Sequence, residues 1–213
     1  AQGGAFTIVT NDGFIKQTTL SDMLPKAYKK KTSMAIKLKT DDSYVVNADY
    51  FETVGQQDVL LLSQHGVGLR FAVKSIPEIG ARTAGVKAMD LRNEDTIKAA
   101  VFVTNEAQRV AIMADNGAFK YMPVSEITRS KRANKGLLIF TQKKTVAYHV
   151  ATATILNIED TALEILTTRW QKQELQLSDY KPSQRVGNGQ YVVDVKKYGE
   201  PWRVQPLTIA KTK

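Results

Sequence analysis

The chain has 213 residues, 43% of them hydrophobic, which is enough to bury a sizeable core in one or two domains. It carries 30 Lys and Arg against 21 Asp and Glu, and this formal net charge of +9 favours an anionic partner: nucleic acid, an acidic membrane surface or an acidic protein. The absence of Cys excludes disulfides, thiolate zinc sites and Cys nucleophiles. No apolar run reaches the ~18–20 residues that span a bilayer, so we expect no membrane partner.

The start of the chain, Ala1-Gln2-Gly3-Gly4, has neither an initiator Met nor the pattern of a signal peptide. We therefore expect the chain to be a piece of a longer protein.

One pattern recurs along the chain: an apolar strand-like run, a short polar turn and a second alternating run. Its copies span residues 6–16, 59–70, 110–120 and 163–172. The turn positions Gly13, Gly66, Gly117 and Trp170 are separated by 53, 51 and 53 residues. A period near 50 is typical of a four-stranded propeller blade. We predict an all-β, propeller-like fold of about four antiparallel, four-stranded blades, from repeats at approximately 5–57, 58–107, 108–156 and 157–213.

Each copy contains a second shared segment, at 30–38, 80–91, 131–140 and 184–193. Asp12-Gly13 and Asn116-Gly117 between apolar runs indicate hairpins. Short helices or turns are expected near 21–26 and 124–130. The stretch 158–180 is rich in Leu and Glu and could be helical by propensity, but the phase of the repeat favours strands there.

The repeats resemble the C-terminal repeats of the DNA gyrase and topoisomerase IV A subunits. The resemblance is carried by the units that end in Ile15-Lys16 and Phe119-Lys120, by Leu69-Arg70-Phe71, and most specifically by Gly80-Ala-Arg-Thr-Ala-Gly-Val-Lys-Ala-Met89. It implies a β-pinwheel whose blades exchange strands and whose basic outer rim bends duplex DNA. The chain lacks the basic, Gly-rich box of gyrase A subunits, and Lys131-Arg-Ala-Asn-Lys-Gly136 does not match it, which favours topoisomerase IV.

The resemblance further implies that the chain is part of an ATP-dependent isomerase and has no catalytic residue of its own. ATP and Mg²⁺ would be used by other domains, with no cofactor or metal here. Its partners would be duplex DNA and, within a heterotetramer, the B subunit together with the N-terminal domain of the A subunit. Such an enzyme would be cytoplasmic and associated with the bacterial nucleoid.

The positive charge is uneven, since repeat 108–156 alone has a net charge of +6. Its basic residues, like those near 29–31, fall between predicted strands, where equivalent linkers of repeated blades would form one stripe for phosphates. We expect backbone contacts rather than base readout. The residues predicted for this basic rim are Lys29, Lys30, Lys31, Arg70, Arg82, Lys120, Arg129, Lys131, Arg132, Lys135, Lys143, Lys144 and Arg185. Changing Arg129, Lys131, Arg132 and Lys135 together to Glu should abolish most duplex binding with little loss of stability.

Sequence motifs for chemistry are absent. No Tyr follows an Arg as in the family's cleavage motif, and no phosphate-cradling Gly-rich loop of the G-x-x-x-x-G-K-[ST] type occurs. His65 and His149 lack a carboxylate at metal-ligand spacing, so ordinary core or surface roles are favoured for both.

Two alternatives remain open at this point. One is a propeller that binds an acidic protein, which should associate with DNA only weakly near physiological salt. The other is a secreted propeller enzyme or lectin, which would need a cluster of acidic or His residues that the sequence does not show.

Overall fold

A computed structural model describes residues 4–24, 33–92, 94–141 and 147–207. The strands in these ranges are β1 (Ala5–Thr10), β2 (Phe14–Thr19), β3 (Val45–Phe51), β4 (Asp58–Ser63), β5 (Val67–Ala72), β6 (Val86–Lys87), β7 (Ile97–Val103), β8 (Arg109–Ala114), β9 (Ala118–Pro123), β10 (Leu137–Leu138), β11 (Val150–Leu156), β12 (Ala162–Thr167), β13 (Lys172–Gln176), β14 (Gln190–Tyr191) and β15 (Pro201–Pro206). The helices are α1 (Leu20–Met23), α2 (Val195–Tyr198) and 3-10 helices at Val73–Ser75, Val124–Glu126 and Leu177–Asp179.

The strands form four antiparallel sheets, here called blades 1 to 4. Their strand orders are β3-β1-β2-β6, β7-β4-β5-β10, β11-β8-β9-β14 and β15-β12-β13. Blades 1 to 3 each receive their fourth strand from the following repeat, as the predicted strand exchange requires. The prediction of an all-β, propeller-like fold is confirmed. Blade 4 differs by having three strands, because no residue that the structure describes supplies its outer strand.

The last strand of each repeat lies nearest the axis of the assembly. Strands β3, β7, β11 and β15 contact one another in that order, and they surround a cavity of about 430 Å³. The exchanged strands β6, β10 and β14 are at the opposite edge of their sheets. The segments that lead into these exchanged strands therefore lie on the outer rim.

Hydrophobic cores fill the spaces between neighbouring blades, and successive residues of one strand face different cores. In β4, Val59 and Leu61 pack in the core between blades 1 and 2, whereas Leu60 and Leu62 pack in the core between blades 2 and 3. All four are fully buried. A strand covered on both faces needs apolar residues at every position, which explains the continuous run in this part of the sequence.

The local expectations are largely met. Gly13, Gly66 and Gly117 have φ of +81°, +81° and +83° in their hairpin turns, and Trp170 occupies the corresponding position with φ of +60°. The stretch 158–180 contains β12 and β13, so its predicted strand character is confirmed. The helices expected near 21–26 and 124–130 are present as α1 and as the 3-10 helix Val124–Glu126, within the residues that are described.

Candidate nucleic-acid interface

Three rim loops precede the exchanged strands, at residues 79–85, 130–136 and 183–189. Equivalent backbone bonds hold their first residues: Ile79 donates to the Gln17 carbonyl at 2.8 Å, Ser130 to that of Arg70 at 2.8 Å, and Ser183 to that of Tyr121 at 2.7 Å. The same geometry therefore recurs at the outer edge of blades 1, 2 and 3. Cations in these loops therefore lie at the outer edge of their blades.

Three of the predicted cations are exposed on the rim loops. Arg82 lies in the first loop, and Lys131 and Lys135 lie in the second. Their charges are accessible to a polyanion that follows the outer edge of the blades.

Arg132 and Arg185 occupy equivalent positions and connect neighbouring blades. The Arg132 guanidinium donates to the carbonyl of Lys87 at the end of β6, and Arg185 Nη1 donates to the carbonyl of Leu138 in β10 at 2.8 Å. Arg132 and Arg185 thus each cap the exchanged strand of the blade before their own. Both side chains are partly buried, so these residues contribute structural contacts to the rim as well as positive charge.

Arg129 is also bound. Its Nε donates to Oδ2 of Asp58 at 2.9 Å, although 55% of its side chain is exposed. Asp58 itself is almost fully buried, so the contact fixes the start of the second rim loop against blade 2.

The prediction that Arg70 lies on the basic rim is wrong, because this residue is only 3% exposed. Its Nε donates to Asp58 at 2.8 Å, and its remaining nitrogens donate to Glu106 and to the Val124 carbonyl. The hydrogen bond from Arg70 lowers the pKa of Glu106, which keeps the pair charged. Arg70 therefore stabilises the junction between blades 2 and 3 and is not available to a ligand.

Lys120 is likewise not a rim residue, since it is 2% exposed. Its Nζ donates to the carbonyls of Ile139 at 2.6 Å, Arg185 at 2.9 Å and Gln184 at 3.1 Å. Burial lowers the pKa of Lys120 to about 8; Glu126 raises it and nearby Arg185 lowers it further. The ammonium holds the third rim loop against blade 3.

Lys16 plays the same part in blade 1 and was not predicted as a functional position. Its Nζ donates to the carbonyls of Ala81 at 2.5 Å and Gly80 at 3.0 Å in the first rim loop. The sequence does contain a hint, because Lys16 and Lys120 both lie three residues after the turn glycine of their repeats. A Lys on a buried strand indicates a carbonyl cradle more than a free charge.

Lys29, Lys30, Lys31, Lys143 and Lys144, which were also predicted for the rim, lie outside the described residues. Their contribution stays a prediction.

The two histidines meet in space although they are distant in sequence. The rings of His65 and His149 are 5.7 Å apart, and their Nδ1 atoms lie 3.6 Å from Asp95 and 3.2 Å from Asp115 respectively. In the part of the chain that is described, no group of three or more His, Asp or Glu side chains has the arrangement needed to hold a metal ion. None of the described helices is long and apolar enough to cross a membrane.

The sequence matches the family model described as "DNA gyrase C-terminal domain, beta-propeller" over residues 7–49, 57–104 and 108–145. It is 30% identical over 210 residues to the A subunit of DNA topoisomerase 4 from Streptococcus pyogenes serotype M1, and 26% identical over 198 residues to its counterpart from Bacillus subtilis. The A subunit of DNA gyrase from Staphylococcus epidermidis is 28% identical over 201 residues. The matches cover 90%, 92% and 90% of this chain but only 25%, 24% and 22% of those proteins, so the chain spans about a quarter of their length.

Solved structures show the same architecture. The C-terminal domain of DNA topoisomerase IV superposes with a TM-score of 0.85 at 25% identity, covering 95% of this chain and 61% of that one. The E. coli ParC C-terminal domain superposes with a TM-score of 0.70 at 16% identity, over 96% of this chain and 81% of that one, and this likeness concerns the fold alone. The resemblance predicted from the repeats is thereby confirmed.

Proposed function

Because the chain belongs to the family of DNA gyrase C-terminal β-propeller domains, we propose that it binds duplex DNA along its outer rim as part of the A subunit of a type II topoisomerase. The observation that carries the proposal is the recurrence of the rim loops. Strand exchange puts equivalent basic segments on one edge of successive blades, where they can follow a curved phosphate backbone. Exposed Arg82, Lys131 and Lys135 supply cations there.

In this role the domain positions DNA for strand passage by the parent enzyme, which would use ATP and Mg²⁺ in its other domains. The parent would be a cytoplasmic, nucleoid-associated heterotetramer of A and B subunits. Topoisomerase IV is favoured over gyrase by the similarity to topoisomerase 4 A subunits and by the missing Gly-rich box.

The test measures binding of a fluorescent duplex of about 40 base pairs by anisotropy across a range of salt concentrations. We expect log affinity to fall with log salt by about 0.9 per phosphate neutralised. The variant Lys131→Gln/Lys135→Gln should bind more weakly and lower this slope by about 2. The control Lys98→Gln/Arg203→Gln makes the same charge change at the axial cavity and should keep the slope of the original chain. Equal losses in both variants would mean that the rim loops do not form the binding surface.

A protein-binding role is the second candidate, and one observation favours it. Trp170 and Trp202 are 74% and 53% exposed, and their rings form an edge-to-face pair with centroids 5.4 Å apart. Exposed Trp is enriched at protein interfaces. If the DNA proposal is right, Trp170→Ala/Trp202→Ala should leave the duplex affinity unchanged. A chain that fails to bind duplex at low salt would favour the protein-binding role.

A further inference from the structure

Blade 2 lacks the buried lysine that closes the outer edge of blades 1 and 3. In the hairpins, Lys16 pairs with Ile8 and Lys120 pairs with Ile112, and the corresponding pair of blade 2 is Leu69 with Leu61. Leu69 is 2% exposed and has no charged group to offer to the rim loop above it. The second rim loop is therefore held in another way.

A backbone amide takes over one of the contacts that the ammonium makes in blade 3. There, the Ile139 carbonyl accepts a bond from Lys120 Nζ at 2.6 Å. In blade 2 the corresponding carbonyl, that of Ala88, accepts a bond from the Ala133 amide at 2.7 Å. Ala133 adopts φ of +65°, a left-handed conformation that is unusual for a residue with a side chain. The backbone of the second rim loop thus differs from that of the first and third rim loops at this position.

A cavity of about 680 Å³ opens between this loop and the edge of blade 2. Its floor contains Gly68, Leu69 and Gly136, and its polar lining comes from Thr128, Arg129, Ser130, Asn134, Lys135, Arg70 and Asp90. Three of these polar residues belong to the second rim loop, and Thr128 and Arg129 directly precede it.

The charge around the cavity favours an anion. Lys135 is exposed at its wall, and Arg129 also borders it. The lining carboxylate, Asp90, is paired with Lys87 at 2.5 Å and Arg92 at 3.7 Å, and the hydrogen bond from Lys87 lowers its pKa. The Ala88 carbonyl corresponds to the one that accepts from the Lys120 ammonium in blade 3, and here it accepts from the Ala133 amide instead. It is therefore not a free acceptor that would favour a cation.

We propose that this cavity receives a backbone phosphate of the bound duplex, with Lys135, Ser130 and Asn134 as its hydrogen-bonding partners. Ser130 and Asn134 are already oriented by a bond of 2.7 Å between Asn134 Nδ2 and Ser130 Oγ. The cavity acts as an anchor on the rim, because one phosphate can enter it below the surface of the rim. In blades 1 and 3 the buried side chains of Lys16 and Lys120 occupy the equivalent place. This proposal rests on the proposed function and assigns a particular place within it.

The central comparison is between two exposed lysines of the same loop. Lys135 lines the cavity and Lys131 does not. Lys135→Gln and Lys131→Gln make the same change in net charge, so a difference between them reports on the cavity. We expect Lys135→Gln to weaken duplex binding about tenfold, as for the loss of a hydrogen bond to a charged group, and by clearly more than Lys131→Gln. Equal effects of the two changes would overturn the anchor.

A neutral change tests the cavity itself. Asn134→Leu makes one lining residue apolar and removes a donor without altering net charge, and Asn188→Leu makes the same side-chain change at an exposed position of the third rim loop. Asn134→Leu should weaken duplex binding several-fold and Asn188→Leu should not. If Asn134→Leu lowers the thermal midpoint, Ser130→Ala makes the same test with a smaller change. Unchanged duplex affinity in folded Asn134→Leu and Ser130→Ala variants would contradict the proposal.

Inorganic phosphate at matched ionic strength distinguishes the source of the anion. If it raises the thermal midpoint of the original chain while Asn134→Leu keeps full duplex affinity, the cavity binds free phosphate and the assignment to DNA is wrong. The two proposals also fail differently. If the original chain does not bind duplex, the proposed function is wrong. If it binds duplex in a salt-dependent manner and the Lys135 and Asn134 variants bind equally well, only the anchor is wrong.

Discussion

Asp58 holds Arg129 at the outer edge of blade 2, with Nε of Arg129 2.9 Å from Oδ2 of Asp58. The same oxygen accepts a bond from Nε of Arg70 at 2.8 Å. One buried carboxylate therefore joins a strand of blade 2 to the loop that leads into its exchanged strand. A residue predicted as part of a DNA-binding rim is, at the same time, a structural contact.

We expect Asp58→Ala to be strongly destabilising, by roughly 3–5 kcal/mol, because it removes the buried carboxylate that pairs with the buried Arg70. Arg129→Gln should lower the free energy of unfolding by about 1 kcal/mol or less, since the Arg129 side chain is mostly exposed. Urea unfolding at neutral pH measures both. Comparable losses for the two variants would show that Asp58 acts mainly through Arg129.

Charge reversal on and next to the second rim loop should have two separable effects, one on duplex binding and one on stability. Arg129 and Arg132 are bound to Asp58 and to the Lys87 carbonyl, whereas Lys131 and Lys135 are exposed. We therefore expect Lys131→Glu/Lys135→Glu to reduce duplex binding with the thermal midpoint nearly unchanged. Adding Arg129→Glu and Arg132→Glu should lower the midpoint as well, in contrast to the expectation from the sequence. Calorimetry and anisotropy on both variants provide the measurement, and equal midpoints would argue against the structural contacts.

Stability should rise with pH above about 8 because of Lys120. Its pKa is lowered to about 8 by burial, from an ordinary value of 10.5. Between these values the unfolded chain binds more protons at this position than the folded chain, so raising the pH favours folding. The free energy of unfolding of the original chain, relative to that of Lys120→Met, should therefore increase from pH 8 to pH 10.5. A difference that stays constant over this range would show that the carbonyl cradle keeps the ammonium at its ordinary pKa.

Turn glycines should differ in their tolerance of Ala although they share one backbone conformation. The positive φ alone costs roughly 1 kcal/mol or more for Ala at each of them. A Cβ at Gly66 would lie 2.2 Å from the Phe140 carbonyl oxygen and one at Gly117 2.2 Å from that of Val193, whereas at Gly13 the nearest atom is the flexible Leu91 side chain at 2.9 Å.

Gly66→Ala and Gly117→Ala should consequently lower the thermal midpoint more than Gly13→Ala. Because these carbonyls follow the exchanged strands β10 and β14, the comparison tests how closely the exchanged segments approach the hairpins. Similar midpoints for all three variants would mean that the exchanged segments can move away at little cost.

The blades and their count could be predicted from the sequence, because a hairpin turn is a local event. Gly13, Gly66 and Gly117 supply positive φ where the turn needs it, and the apolar runs beside them must be buried wherever they pack. Even Trp170, which is a poor residue for this conformation, was placed in its turn by the phase of the repeat. Exposed rim positions such as Lys131 could be predicted for the same reason, since they follow from position within the repeat.

The tertiary structure alone decided what each cation does. Arg70 and Lys120 look like rim charges in the sequence, but their partners lie far along the chain. They are Glu106 and Val124 for Arg70, and Ile139, Gln184 and Arg185 for Lys120. A buried cation is stable only if distant acceptors surround it, and strand exchange between repeats brings those acceptors into place. Local pattern therefore determines the blade, whereas long-range contacts determine which charges remain free to bind.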